Sequence, residues 1–179
     1  MGLAAPLFLG SDDREGRLGD DRGPRSRRHL SAVGGDATGE SWENRVISVL
    51  VVEDDPAMQL LVRFNLEASG FKVAVASTGA EALETAAATT PDLALLDVML
   101  PDVGGFEIAA RLTGIPIVFM SARATEADFA LGRQAGAIDY VAKPFDPVRL
   151  PARLREDLVE LDRAGSAEHV WALRFGPTS

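Results

Sequence analysis

The chain has 179 residues, of which 46% are hydrophobic and 25% are charged, with a formal net charge of −9 and no cysteine. This length favours one domain with tails, the negative charge argues against a general affinity for nucleic acid or anionic membranes, and the lack of cysteine excludes disulfide bonds and thiolate metal sites. No run approaches the roughly 20 apolar residues of a membrane span. The first ten residues also lack the basic segment of a secretory signal, so we expect a cytoplasmic protein.

The first 45 residues form a polar leader. From residue 11 onward it is rich in Gly, Asp, Arg and Ser and has no sustained hydrophobic period. Such a segment cannot bury enough apolar area to offset its conformational entropy, so we predict that residues 1–45 are disordered. The basic run PRSRRHL lies among acidic residues, which favours a solvated charge run over a docking patch.

From residue 46 onward, apolar runs of strand length alternate with segments that have a helical spacing of apolar residues. The predicted strands are residues 46–52, 71–76, 92–98, 115–121 and 137–142. The predicted helices are residues 56–70, 79–90, 106–112 and 124–136. A last helix falls within residues 147–161 and begins at Pro147 or at Pro151, because proline disrupts the interior of a helix.

The alternation of five strands with helices predicts the fold. Such a chain forms βαβ units, whose right-handed crossovers produce a parallel sheet. The first, third and fourth predicted strands are almost continuously apolar, as expected for strands buried on both faces. The sequence therefore predicts an α/β fold with a doubly wound five-stranded parallel sheet and helices on both faces.

Acidic residues follow two of the predicted strands. Glu53, Asp54 and Asp55 come directly after the first strand, and Asp97 closes the apolar run of the third. Ligands of open parallel sheets bind beyond the carboxyl ends of the strands, so Glu53, Asp54 and Asp97 converge if these strands are neighbours. Carboxylates so close repel one another, and a cation with oxygen ligands, such as Mg²⁺, removes that repulsion. The alternative is helix capping before Pro56, a role that we assign to Asp55 and that stays open for Glu53 and Asp54.

Two further polar residues end predicted strands at the same edge of the sheet. Lys143 follows the fifth strand, and Lys72 is the only other lysine in the sequence. A compact ammonium at this position could pair with a phosphoryl oxygen on Asp97. Ser121 ends the fourth strand and supplies a hydroxyl donor between these two residues. The alternatives are a surface lysine and an ordinary serine at a strand end.

With these residues in place, the segment 46–161 resembles the receiver domain of bacterial two-component response regulators. Five motifs carry the resemblance, in the order that the family has them: VLVVEDDP, STGAEAL, LLDVMLPDVGG, IVFMSAR and GAIDYVAKPF. The resemblance implies a flavodoxin-like strand order of 2-1-3-4-5. It also divides the chain into a leader, a receiver domain, and a short tail, residues 162–179, that is too short for a complete output domain.

The resemblance implies a phosphorelay chemistry at the predicted edge. Asp97 would be the phosphoacceptor, which takes a phosphoryl group from phosphohistidine on a sensor kinase and becomes an aspartyl phosphate. Magnesium would be held by Glu53, Asp54, Asp97 and the backbone carbonyl of Met99. Lys143 would assist the transfer from the other side.

The resemblance also implies a switch. Ser121 would move to bind the new phosphoryl oxygen, Tyr140 would change rotamer with it, and a cis peptide bond before Pro144 would aim Lys143 at the site. The added charge would then change the surface formed by strands 4 and 5 and helices 4 and 5. This implies a signalling phosphoprotein rather than an enzyme.

The resemblance implies a sensor histidine kinase as a partner and leaves room for a downstream protein target. We expect no direct binding of nucleic acid by this chain and no contact with a membrane. Two alternatives stay open: a truncated transcriptional regulator without its DNA-binding domain, and a receiver-like adaptor that is never phosphorylated. An aspartate-nucleophile phosphohydrolase is disfavoured, because it normally needs a second acid where this chain has Met99.

Overall fold

The computed structural model describes Trp42 and residues 44–176, so most of the predicted leader lies outside the described residues. Within the described part, strands and helices alternate and two helices end the chain. The elements are β1 Ser48–Val52, α1 Pro56–Ala68, β2 Lys72–Ala76, α2 Gly79–Thr89, β3 Leu93–Asp97, α3 Gly105–Arg111, β4 Ile117–Ser121, α4 Glu126–Gln134, β5 Asp139–Ala142, α5 Leu150–Ala164 and α6 Ala167–Phe175. Each predicted strand and helix is present, with limits that differ by a few residues.

The five strands form one parallel sheet in the order β2-β1-β3-β4-β5. The predicted α/β fold, its strand order and its helices on both faces are therefore confirmed. β3 lies at the centre of the sheet and β1 and β4 lie on either side of it, so the carboxyl ends of these three strands meet at one edge. This edge holds the acidic residues singled out in the sequence.

Two hydrophobic cores, one on each face of the sheet, hold the layers together. Val62 and Leu66 of α1 pack with Leu154 and Leu158 of α5 on one face. The other core contains buried residues of α2 and α3, and also Trp171 of α6. β3 and β4 are buried along their whole length, which explains why their sequences have no polar side before the last residue.

The structure decides where the last predicted helix begins. α5 starts at Leu150, with Pro151 in its first turn, where the missing N–H of proline costs no helical hydrogen bond. The helix therefore does not begin at Pro147. It also extends past residue 161 to Ala164 and ends at Gly165, whose φ of 67° is the left-handed conformation typical of a glycine that ends a helix.

Two features at the ends of the described chain were not predicted. Trp42, which lies within the predicted leader, is buried against the α1 and α5 core, and its carbonyl oxygen accepts a hydrogen bond from Arg155 at 2.5 Å. Residues 167–175 form α6, which is capped by the Ser166 side chain and buries Trp171. None of the helices among residues 44–176 is long and apolar enough to cross a membrane.

Candidate functional site

Three carboxylates meet at the carboxyl edge of the sheet. Val52 of β1 pairs with Leu96 of β3, so the residues that follow, Glu53 and Asp97, lie side by side. One carboxylate oxygen each from Glu53, Asp54 and Asp97 lies within 4.8 Å of the others. Glu53 is 1% exposed and Asp97 is 6% exposed, whereas Asp54 is open to solvent. The convergence expected from neighbouring strands is therefore present.

Lys143 connects two of these carboxylates. Its Nζ lies 2.7 Å from Glu53 Oε2 and 2.6 Å from Asp97 Oδ2, although their positions in the sequence are far apart. Lys143 N also donates to the carbonyl oxygen of Ser121 at 2.7 Å, which joins the ends of β4 and β5. The peptide bond between Lys143 and Pro144 is cis, as the resemblance implied.

Burial and pairing shift the pKa values of Glu53 and Lys143. Burial is the largest influence on Glu53 and raises its pKa, Lys143 partly offsets this, and the charge of Asp97 raises it further. Burial alone would lower the pKa of Lys143, but the hydrogen bonds and charges of Asp97 and Glu53 outweigh it, so the pKa is raised. Lys143 is thus held as an ammonium between two carboxylates.

The donor set fits a hard divalent cation. It offers oxygen ligands only, which suits Mg²⁺ rather than zinc, since zinc usually recruits His or Cys. Three carboxylates also exceed the single positive charge of Lys143, so when all are ionised the group retains a negative charge that a cation would balance. The type of ligand atom and the net charge at this edge of the sheet are both compatible with the predicted Mg²⁺.

The backbone around Asp97 is fixed by the loop that follows it. Asp97 Oδ1 accepts a hydrogen bond from Met99 N at 2.8 Å, which leaves Oδ2 to Lys143. Gly105, the first residue of α3, packs so closely that an added Cβ would lie 2.2 Å from the Asp97 carbonyl oxygen and 2.8 Å from Val98 Cα. Only glycine fits there without moving the end of β3.

Asp102 ties the same loop to α2. Its carboxylate accepts hydrogen bonds from Gly79 N at 2.9 Å and Ala80 N at 3.1 Å. These are the first two residues of α2, whose N–H groups have no partner within the helix. The Gly79 hydrogen bond is the largest influence on Asp102 and lowers its pKa. The loop that carries Met99 is therefore anchored at both ends.

Ser121 and Tyr140 both hold the backbone of residue 123. Ser121 is fully buried at the end of β4, and its Oγ accepts a hydrogen bond from Arg123 N at 3.1 Å. The Tyr140 hydroxyl donates to the Arg123 carbonyl oxygen at 2.6 Å. Tyr140 is 1% exposed, and burial is the main cause of its raised pKa. These two hydrogen bonds thus fix the backbone position of the segment that leads from β4 to α4.

Comparison with known proteins decides the family. Residues 49–155 match the family model of the response regulator receiver domain. The chain belongs to the response regulator receiver family. It is 42% identical over 123 residues to the transcriptional regulatory protein CseB of Streptomyces coelicolor, a match that covers 67% of this chain and 53% of CseB. The chain spans about half the length of the curated relatives that it matches.

Solved structures of receiver domains are similar along almost their whole length. The CheY-like receiver domain protein of Methanospirillum hungatei has a TM-score of 0.62 at 28% identity, and the match covers 67% of this chain and 99% of that one. The BeF3-activated receiver domain of RstA from Klebsiella pneumoniae has a TM-score of 0.58 at 36% identity, covering 62% and 97% respectively.

The receiver fold brings most of the residues selected from the sequence to one edge. Asp55 caps α1, since its side chain accepts from Ala57 N at 2.8 Å and Met58 N at 3.3 Å, which confirms the capping prediction. The Met99 side chain is exposed and its N–H holds Asp97, while metal binding by its carbonyl oxygen stays a prediction. The role of Asp102 was missed, because its partners are more than twenty residues away in the sequence.

Proposed function

We propose that this receiver accepts a phosphoryl group on Asp97 from the phosphohistidine of a sensor histidine kinase. The observation that supports this most directly is the environment of Asp97, a buried carboxylate paired with Lys143 and beside two further carboxylates. In the step that we propose, an Asp97 oxygen attacks phosphorus and forms a P–O bond. The P–N bond breaks, and its electron pair goes to the imidazole nitrogen of the kinase, which becomes neutral by proton exchange with solvent.

The chain's own residues would share the work of this transfer. Glu53, Asp54, Asp97 and the Met99 carbonyl would hold Mg²⁺, which when bound neutralises charge on the phosphoryl oxygens. Lys143 already contacts Asp97 Oδ2, so its ammonium is placed to follow the charge onto the phosphoryl group. The Ser121 hydroxyl would then donate to a phosphoryl oxygen.

The output that we propose is a changed protein surface rather than turnover of a substrate. Phosphorylation adds about −1.5 to −2 charges beside β4 and β5, and Ser121 and Tyr140 connect this edge to the segment before α4. The surface formed by β4, β5, α4 and α5 would change in response. We expect the protein to meet its kinase in the cytoplasm and not to act as an enzyme.

A second candidate concerns the whole protein. CseB is named a transcriptional regulatory protein, and this chain spans 53% of it. That relationship favours a receiver whose output is transcription, carried out by a DNA-binding part that residues 44–176 do not include. An adaptor that is never phosphorylated is less well supported, because Glu53, Asp54 and Asp97 lie close together and Lys143 contacts Asp97.

Incubation with Mg²⁺ and acetyl phosphate, followed by intact mass measurement, tests the proposal. We expect one phosphoryl adduct that survives acid and is lost in base. Asp97→Asn should not form it, whereas the control Asp162→Asn, which removes an exposed acid on α5, should. An adduct that persists in Asp97→Asn would refute the site, and rapid multiple turnover of phosphate esters would favour a hydrolase.

A further inference from the structure

The C-terminal helix α6 covers the face that α4, β5 and α5 form together. Trp171 of α6 is 4% exposed and lies over Gly132 of α4. A Cβ added to Gly132 would lie 3.1 Å from Trp171 Cη2 and 3.1 Å from Tyr140 Cδ2. The missing side chain of Gly132 therefore leaves a notch in α4, and an indole from α6 and the ring of Tyr140 fill it from two sides.

Aromatic contacts extend from this notch to the end of the helix. The ring of Phe175 lies 4.5 Å from Trp171 and 5.1 Å from Phe129 of α4, measured between centroids. Phe129 in turn lies 4.8 Å from Tyr140. Aromatic pairs at such distances are attractive, so Tyr140 belongs to a connected group of rings of which two, Trp171 and Phe175, lie on α6.

An ion pair attaches the polar side of α6 to α5. Arg174 Nε donates to Asp157 Oδ1 at 2.9 Å, and Nη2 lies 3.2 Å from Glu156 Oε2. Asp157 is 1% exposed, and its other oxygen is buried without a hydrogen-bond partner among the described residues. The nearby acid Asp139 is already paired with Arg153. When Asp157 is ionised, its buried negative charge is therefore balanced by Arg174, and this balance requires α6 to be docked.

A continuous set of contacts leads from α6 to the acceptor site. Phe175 of α6 packs on Phe129, and Phe129 packs on Tyr140. The Tyr140 hydroxyl donates to the Arg123 carbonyl oxygen, and Arg123 N donates to Ser121 Oγ. Ser121 lies one residue beyond Met120, the partner of Asp97 in the sheet. These contacts form a path by which a rearrangement of Ser121 would reach residue 123 and then the ring of Tyr140.

We propose that α6 is a built-in occupant of the face formed by α4, β5 and α5, and that phosphorylation of Asp97 weakens its docking through Tyr140. This inference rests on the proposed phosphorylation. When the Ser121 hydroxyl turns toward the phosphoryl group, Arg123 N–H loses its acceptor and the segment after β4 shifts. The Tyr140 hydroxyl, which holds the Arg123 carbonyl oxygen, is displaced with that segment, and its ring leaves the notch at Gly132 that Trp171 also fills.

The coupling is reciprocal by thermodynamic linkage. If phosphorylation weakens the docking of α6, then weakening the docking favours phosphorylation by the same factor. The face is consequently covered in the unphosphorylated receiver and becomes available to a partner when Asp97 carries phosphate. Both directions of this coupling can be measured on the full chain.

Tryptophan fluorescence measures the first direction. The chain has two tryptophans, so Trp42→Phe leaves Trp171 as the single reporter. We expect acrylamide quenching of Trp171 to rise several-fold when this variant is treated with Mg²⁺ and beryllofluoride. In the double variant Trp42→Phe/Asp97→Asn, the same treatment should leave the quenching constant. Intact mass after acetyl phosphate establishes whether Asp97 reacts. A protein that forms the adduct with unchanged or reduced quenching would overturn the coupling, whereas failure to form the adduct would overturn the proposed function instead.

Equilibrium binding of beryllofluoride in the presence of Mg²⁺ measures the second direction. Phe175→Ala removes a ring from α6 that is 39% exposed, so the core should stay folded, and we expect this variant to bind beryllofluoride more tightly. Leu173→Ala is the matched control, because Leu173 lies on the same helix and is 59% exposed. Equal affinities in the two variants and the parent protein would refute the inference. Tyr140→Ala in the Trp42→Phe background should raise the quenching of Trp171 without phosphate, and constant quenching there would also contradict it.

Discussion

Replacement of Gly105 by alanine tests how tightly the acceptor strand is held. The new Cβ would lie 2.2 Å from the Asp97 carbonyl oxygen, and real Cβ atoms essentially never come closer than 3.0 Å to another heavy atom. The start of α3 and the end of β3 must therefore separate by about 0.8 Å. The atoms that the new Cβ would meet belong to the backbone of Asp97 and Val98, so the clash cannot be relieved by the movement of a flexible side chain.

We expect Gly105→Ala to lower the free energy of unfolding by about 1–3 kcal/mol, the usual cost of overpacking a close contact. The same shift displaces Asp97 relative to Lys143, so the rate of phosphorylation by acetyl phosphate should also fall. Urea denaturation measures the first effect and intact mass over time measures the second. Helix propensity opposes the loss by less than about 1 kcal/mol, because alanine is favoured over glycine within a helix.

Gly104→Ala is the matched control. Gly104 precedes Gly105 in the sequence, its φ of −63° is open to any residue, and a Cβ there meets nothing within 4 Å. We expect a change in stability within about 0.5 kcal/mol and an unchanged phosphorylation rate. If Gly105→Ala behaved like Gly104→Ala in both assays, the close approach of α3 to the acceptor strand would be refuted.

Three further substitutions test separate contacts. Lys143→Met leaves two buried carboxylates without their ammonium and should lower the free energy of unfolding by about 2–3 kcal/mol, less than the loss of a fully buried pair. In urea denaturation, Mg²⁺ should restore more stability to this variant than to the control Lys72→Met, and equal responses would contradict the pairing. Burial raises the pKa of Asp157 to about 8. The stability that the protonated carboxyl contributes is fully present below the ordinary carboxyl pKa and should be lost as the pH rises through about 8. Asp157→Asn should flatten this decline in unfolding free energy, and a pH profile identical to that of the parent protein would contradict the assignment to Asp157. Asp92 accepts hydrogen bonds from Ser48 N and Oγ, both at 2.8 Å, so Asp92→Ala should lower the unfolding free energy by about 1–3 kcal/mol, and an unchanged urea midpoint would disprove this contribution.

The sheet was predictable because its signal lies in the local sequence. Apolar runs without a polar side indicated strands buried on both faces, and glycines after helices marked their ends. The position of α5 was only partly predictable. A proline is compatible with the first turn of a helix and not with its interior, so Pro151 limited where the helix could begin without showing which residue starts it.

The convergence of Glu53, Asp54 and Asp97 was predictable as soon as β1 and β3 were neighbours. The proximity of Lys143 to Asp97 was predictable in the same way. The contact of Lys143 with Glu53 and the burial of Trp42 were not, because no pattern in the sequence indicated either. Trp42 interacts with Arg155, 113 residues away, and no local pattern encodes that contact. α6 has a weak amphipathic pattern, and the notch at Gly132 that its Trp171 fills is visible only in three dimensions.

The central claim is that Asp97, among all the acids of the chain, receives the phosphoryl group. The most direct test is to treat the protein with acetyl phosphate and Mg²⁺, reduce the acyl phosphate with borohydride, and map the modified residue by peptide mass spectrometry. We predict homoserine at position 97 alone, with the modification lost when Mg²⁺ is removed. Homoserine at Asp54, or the 5-hydroxynorvaline that reduction of a phosphorylated Glu53 would give, with Asp97 unmodified, would contradict it.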